Sequence, residues 1–329
     1  MRRLTLILSD LYLPADAARE SFPTTMQLPA LEWLLRFSKP ALRIQGWRSW
    51  LAAELGASAL AGWPEAHTLA LADEVTVDGS WLATPVALEA RLDHVRLRDR
   101  GLLRLPLEQK QALQQEFQEV FGGGLRLRAG RSPAFSLDGG PQVDIATQDP
   151  ARWLDADIGR ALPGASAAAG ELRRLGTEIE MWLHSSPVNA ARERAGQRRV
   201  SALWLWGGGR SLPKPAREKL NGLRSHVHGS DNFVTALQNL LGHAIPQPAN
   251  FTQLSMELPT FMELAPMSGP ESESLLAIER DWFAPARDAL SAGTLESFRV
   301  VANDRVFECS GRPGWRFWRR RRGWLESLA

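Results

Sequence analysis

Along this 329-residue chain the spacing of apolar and polar positions changes period several times, and each change marks an element. Leu4 to Ser9 is a short apolar run that predicts a buried strand. Leu31–Ser38 and Trp47–Leu55 repeat apolar residues at helical spacing, separated by Lys39-Pro40 and Gly46. From residue 82 to 105 the pattern alternates: Val86, Leu88, Ala90, Leu92, Val95 and Leu97 interleave with polar groups, which predicts a hairpin turning at Arg100-Gly101. Glu108–Phe121 is amphipathic and ends at Gly122-Gly123-Gly124, a helix with a glycine stop. A strand over Ala134–Leu137 follows.

The small-residue run GASAAAG at 164–170 reads as a linker or hinge before a helix over Glu171–Leu183. Beyond it come a Pro187-Val188-Asn189 turn, a short basic helix, and the strand Ala202–Trp206, which runs into Gly207-Gly208-Gly209. A buried strand with such an exit predicts a crevice at its carboxyl end, where open α/β sheets bind ligands; a core strand and a loop fit the pattern equally. Arg224–His228 and Phe261–Leu264 read as strands, and Asn232–Leu241 and Glu271–Leu290 as helices, with 246–250 as loop. Ser297–Val301 and Arg305–Cys309 form a hairpin around Asn303-Asp304. No internal repeat is present. Strands and helices alternate at both ends with a strand-rich stretch between them, so the class is α/β with an α+β insertion.

Composition narrows the picture only slightly. Apolar residues at 44%, charged residues at 23% and a formal charge of +2 describe an ordinary globular chain with no global bias toward nucleic acid. A single cysteine, Cys309, excludes an internal disulfide and cysteine-built zinc sites, and fits a reducing, cytoplasmic location. Asp10 interrupts the N-terminal apolar run too early for a signal peptide, and no apolar run is long enough to span a membrane. Thirteen tryptophans against one tyrosine predict mostly packing roles for the indoles.

Candidate chemistry is sparse. His226 and His228 project from one face of a strand, a spacing that suits two metal ligands or a solvated edge. There is no Gly-x-Ser-x-Gly elbow and no P-loop, and Cys309 has no adjacent base. Arg91, Arg96, Arg98, Arg100 and Arg104 crowd the predicted hairpin, and their planar forks suit phosphate or carboxylate, though a solvated strand face gives the same pattern. The segment Trp315 to Trp324 mixes aromatics with arginines, as in nucleic-acid, membrane-surface or protein contacts, or in arginines stacked on core-edge tryptophans.

Ser186-Pro187-Val188-Asn189, Arg192, Gly196, Ala202 and the run Trp204-Leu205-Trp206-Gly207-Gly208-Gly209 resemble the archaeal-type cofactor-independent phosphoglycerate mutases of the alkaline phosphatase superfamily. Within that resemblance the chain is similar to a group of uncharacterised proteobacterial proteins carrying the same tryptophan–glycine signature. Leu28-Pro29-Ala30-Leu31 resembles the family's first helix, Asp99, Arg100 and Arg104 its substrate-domain turn, and Asp231 the start of a later helix. The resemblance implies an alkaline-phosphatase-like mixed-sheet core over residues 1–80 and 183–329, flanked by helices, with a smaller α+β substrate-like domain inserted at 81–182.

The family holds two divalent ions with aspartates and histidines and uses a serine or threonine as phosphoryl acceptor. Asp10 matches the first aspartate, but Leu11 replaces the expected glycine. Trp47 and Arg48 stand where the acceptor serine and its aspartate belong, with Ser49 adjacent and Leu51 at a histidine position. Ser186 replaces a histidine, Ser201 departs from the usual Ala-Asn, and no histidine follows His243. The resemblance therefore implies a metal-free, cofactor-free relative that binds a small phosphorylated or carboxylated metabolite, as a pseudoenzyme or regulatory protein. Arg91, Arg100, Arg104, Asn189, Arg192, Gly207, Gly208, Gly209 and Arg210 are its expected ligand-binding residues. The alternatives are an active mutase or phosphohydrolase that relies on Asp10, and an interaction protein that works through the Arg/Trp segment.

Overall fold

The computed structural model describes residues 2–13, 26–57, 79–130, 132–143, 145–161, 164, 166–209, 225–241, 247–255, 257–269, 274–311 and 319–328. In chain order the first elements are β1 (Arg3–Leu8), α1 (Pro29–Phe37), β2 (Leu42–Arg43), α2 (Trp47–Glu54), β3 (Trp81–Ala90), β4 (Val95–Leu102) and α3 (Leu107–Phe121). There follow β5 (Arg126–Arg128), β6 (Phe135–Asp138), β7 (Ala156–Asp157), α4 (Ala167–Ser185), α5 (Pro187–Arg194), β8 (Ala202–Trp206), β9 (His226–His228) and α6 (Asn232–Leu241). The last are β10 (Thr260–Leu264), α7 (Leu275–Ile278), α8 (Ala284–Ser291), β11 (Ser297–Ala302), β12 (Arg305–Ser310) and α9 (Trp324–Leu328). The class is α/β, with two sheets flanked by helices. Two compact units form: Met1–Ala61, Ala216–Gly229 and Leu241–Ala329 make the first, Gly62–Pro215 and Ser230–Leu240 the second. Among the described residues no helix is long and apolar enough to cross a membrane.

The first unit is built on a mixed sheet in the order β2-β12-β11-β1-β10-β9. β1 lies between two parallel neighbours, β10 and β11, while β12 closes the antiparallel edge with β2. Every residue of β10 and all but the first of β1 are buried, so both are mostly apolar on both faces rather than alternating, with Thr5, Thr260 and Glu263 as buried polar members. Leu31 and Leu34 of α1, Ile278 of α7, and Trp282, Phe283 and Leu290 beyond it complete the core on the sheet. The helix expected over 271–290 starts at Leu275 behind an N-cap at Ser274 and contains a π-helical turn at Glu279–Phe283, residues 270–273 lying outside the described residues. The turn brings the Glu279 carboxylate to the N-terminus of α1, where it accepts from the amides of Ala30 (2.5 Å) and Leu31 (3.1 Å).

The second unit carries an antiparallel sheet in the order β5-β6-β3-β4-β7, with β8 on the other edge of β3. The strand β8, expected in the core domain as part of 183–329, thus pairs along Leu82–Val86 of β3 instead. The hairpin also differs from its sequence pattern. β3 and β4 turn at residues 91–94, where the Arg91 amide donates to the His94 carbonyl, and Leu92 is wholly exposed at the tip. Arg100-Gly101, expected at the turn, lies inside β4 in a bulge: Leu88 pairs with Leu97 but Val86 with Leu102. Within the expected linker at 164–170, residues 167–170 instead begin α4, with Ser166 capping the Ala169 amide at 3.2 Å. Phe117 and Phe121 of α3 meet Trp182 of α4 edge-on at 5.4 and 6.0 Å, so these indole and phenyl groups are packing residues.

Candidate functional site

The carboxyl ends of parallel strands are the usual ligand edge of an α/β sheet, and in the first unit those of β1, β10 and β9 gather the strongest concentration of buried polar groups. Ser9, Asp10, His228 and Glu263 are each at most 6% exposed. The Ser9 hydroxyl donates to Glu263 Oε1 at 2.5 Å and to the Leu264 carbonyl at 3.2 Å. Asp10 lies one residue further and serves the turn that leaves β10. Its Oδ1 accepts from the Met267 amide at 3.1 Å, and its Oδ2 from the Ser268 amide and hydroxyl at 2.8 and 2.6 Å. Gly229 closes the edge at φ +151°, where a Cβ would lie 2.5 Å from Glu263 Oε2, so only glycine leaves room for that carboxylate.

This edge contains Asp10, the residue the resemblance matches to a metal ligand, but its described neighbours do not supply the rest of a two-ion centre. His226 and His228 do share a face, with ring centroids 6.2 Å apart. Among the described residues no three His, Cys, Asp or Glu side chains are placed to hold a metal ion. In the segment the resemblance implies for the phosphoryl acceptor, Gly46 leads into α2, where Trp47 is buried and the Arg48 guanidinium stacks 4.4 Å over its ring. Cys309 is fully buried in the core.

The motif from 183 to 210 belongs to the second unit, and most of its polar groups fasten its own backbone. Ser186 caps α5 and donates to Glu116 Oε2 at 2.6 Å, while Glu116 Oε1 accepts the Val188 amide. Asn189, 1% exposed, donates to the carbonyls of Leu183 (2.8 Å) and Val200 (2.9 Å) and accepts from the Val200 amide (2.8 Å). Arg192 is buried against the Arg198 carbonyl and Gln109 Oε1, and burial lowers its guanidinium below the ordinary arginine value. The glycines pack rather than gape: the Gly209 amide donates to the Ser80 carbonyl, and the Gly79 amide to the Gly209 carbonyl. A Cβ on Gly208 would sit 1.9 Å from the Ser80 carbonyl oxygen and one on Gly209 2.3 Å from that of Val143. The crevice expected at the strand's carboxyl end is absent from these described glycines. A cleft of about 490 Å³ runs instead along the face of β8, lined by Trp204, Leu205, His94, Thr147, Arg173 and Glu180, among others.

The hairpin arginines are dispersed. Arg91 pairs with Glu89 at 3.2 Å near the tip. Arg100 is exposed in the β4 bulge at φ +50°, a conformation bulges use to re-aim a side chain, and its carbonyl accepts from Arg198 at 3.1 Å. Arg104, half-buried beyond β4, donates to the Ser230 hydroxyl at 3.0 Å. Arg210 lies outside the described residues, as does the stretch 312–318 of the Arg/Trp segment. In the described remainder Trp324 is a core residue, its Nε1 donating to the Met26 carbonyl at 3.2 Å.

No family model matches the chain, and no curated protein matches it either. Solved structures do. A cofactor-independent phosphoglycerate mutase from Thermoplasma acidophilum DSM 1728 is 18% identical, the match covering 95% of this chain and 90% of that one at a TM-score of 0.38. The PH0037 protein from Pyrococcus horikoshii is 12% identical over 99% of this chain and 91% of its own, at a TM-score of 0.45.

Proposed function

We propose that this chain is a phosphoglycerate-mutase-like protein of the alkaline phosphatase superfamily that binds an anionic metabolite without metal-dependent phosphoryl transfer, as a binding or regulatory protein. The observation that carries this reading is the setting of Asp10. Three donors from one turn, Met267–Ser268, converge on its carboxylate, so it works as a clamp between β1 and the exit of β10. The resemblance puts Trp47 and Arg48 at the place of the acceptor serine and its aspartate, and a buried indole with a guanidinium over its ring supports the reading that no nucleophilic hydroxyl is presented there. Among the described residues the donor set therefore does not fit a two-ion centre.

For the ligand, Arg100 and Arg104 remain the guanidinium groups best suited to an anion, whereas Asn189, Arg192, Gly208 and Gly209 fasten their own stretch of backbone. Isothermal titration of 2- and 3-phosphoglycerate into the purified chain tests this. Heat that disappears in Arg100→Ala/Arg104→Ala supports the reading, and unchanged binding in that variant removes its ligand assignment.

A further inference from the structure

A second basic feature lies in the first unit, built partly from the arginines of the Trp315–Trp324 segment. α1, the loop after it, β12 and the segment leading into α9 enclose a cleft of about 450 Å³. Its lining holds Arg36, Lys39, Arg305, Arg319, Arg320 and Arg322 and, among the described residues, no carboxylate. Arg319 is the structural member: it donates to the carbonyls of Arg36 and Ser38 at the C-terminus of α1, and its own carbonyl accepts Arg36 Nε at 2.7 Å. That clamp fixes the segment against α1 and holds Arg320 and Arg322 at the cleft. Lys39 is paired with Glu308 at 2.6 Å, while Arg322 reaches Glu326 only at 3.6 Å with both side chains more than 60% exposed, a pair weak enough to exchange. Arg320 is exposed.

Like charges gathered around one concavity repel each other and focus a positive potential into it, which an anion relieves. Leu35, Pro40, Ala41 and Phe307 supply apolar wall, so part of the anion's surroundings is low in dielectric, and arginine forks take phosphate oxygens two at a time. The volume is that of a small-molecule site. Among the described lining residues the one aromatic, Phe307, is 6% exposed and offers little face for a base to stack on, which favours phosphate groups over a nucleic-acid strand as the ligand.

We infer that this cleft binds a small anion carrying two or more phosphates, through Arg305, Arg320 and Arg322. The inference does not depend on the mutase-like reading. The test is calorimetric titration of the full chain with tripolyphosphate, ATP and orthophosphate, with a single-stranded DNA oligomer as competitor. Tripolyphosphate is expected to bind at one site per chain, at least tenfold tighter than orthophosphate. Arg320→Ala/Arg322→Ala, which leaves the Arg319 clamp in place, should weaken it at least tenfold without changing the melting transition. ATP binding as tightly as tripolyphosphate identifies the phosphate chain as the ligand, and ATP binding tenfold tighter identifies a nucleotide; both uphold the site. No tripolyphosphate or ATP binding at millimolar concentration, an unchanged affinity in the double variant, or DNA bound in preference to tripolyphosphate overturns it. Arg100→Ala/Arg104→Ala must leave tripolyphosphate affinity unaltered; loss there overturns the assignment to this cleft.

Discussion

Asp10 and Ser268 are joined twice, the carboxylate Oδ2 accepting both the amide (2.8 Å) and the hydroxyl (2.6 Å) of the same residue. A side chain 4% exposed and held this way is a structural acceptor. Its removal leaves the Met267 and Ser268 amides without their acceptor, and charged hydrogen bonds of this kind are worth about 1.5–3 kcal/mol each before rearrangement. Asp10→Ala should therefore destabilise the chain by about 2–4 kcal/mol in urea unfolding. A loss below about 0.5 kcal/mol would show that the turn does not depend on Asp10.

Gly208 and Gly123 make a matched pair for the glycine question. A Cβ on Gly208 meets the Ser80 backbone at 1.9 Å, whereas one on Gly123 meets nothing within 4 Å. Alanine at 208 should cost about 3 kcal/mol or more through overpacking against backbone, and alanine at 123 less than about 1 kcal/mol. Equal melting temperatures for the two variants would mean that the exit from β8 is not packed as described.

Glu308 sits between Lys39 and Arg299, and Arg299 continues to Glu54. The Lys39 hydrogen bond above all, with the charges of Arg299 and Lys39, holds the Glu308 carboxyl below its ordinary range against the opposing effect of burial. A carboxyl lowered on folding stabilises fully above its unfolded pKa, and that contribution fades as pH falls through the lower folded value. The stability gap between the wild type and Glu308→Gln, about 1 kcal/mol at neutral pH for so exposed a network, should close on acidification. A gap that widens in acid contradicts the pairing.

Lys110 is 3% exposed and donates to the carbonyls of Gly130, Ser132 and Ala134, at 2.9, 2.6 and 3.3 Å. Burial lowers its ammonium from 10.5 to about 8. The folded state then gives up this proton before the unfolded state does, so the contribution of Lys110 is fully present above 10.5 and falls away as pH drops through about 8. Stability should rise between those values in the wild type, and Lys110→Met should remove that part of the slope, as read by urea unfolding across the range.

The strands β1, β10, β11 and β12 were legible because apolar residues dominate their buried positions, with Thr5, Thr260 and Glu263 as the buried polar exceptions, and a turn at Asn303-Asp304 joins the last two. The β3–β4 register was not, since Arg100-Gly101 has the chemistry of a turn and a bulge alike, and the alternation carried Leu92 past the true tip. The membership of β8 in the second sheet is a non-local pairing that no local pattern encodes. Glycines next to a strand mean either ligand access or close backbone packing, both of which exclude a Cβ; the contacts with Ser80 and Val143 decide for packing. Asn189 and Arg192 stood out correctly as special, but the same polarity serves a helix-to-strand fastening as well as a ligand. Arg319, Arg320 and Arg322 stand out in the sequence with the Arg/Trp segment, but the cleft does not, because Arg36, Lys39 and Arg305 join them only in the fold.

The most direct test of the central claim is phosphorus NMR of 3-phosphoglycerate incubated with chelator-treated, repurified protein, with and without manganese. No conversion to 2-phosphoglycerate and no release of phosphate above the protein-free control, in either condition, is the expected result. Manganese-dependent interconversion that survives further ion-exchange purification and vanishes in a folded Asp10→Asn variant would contradict it.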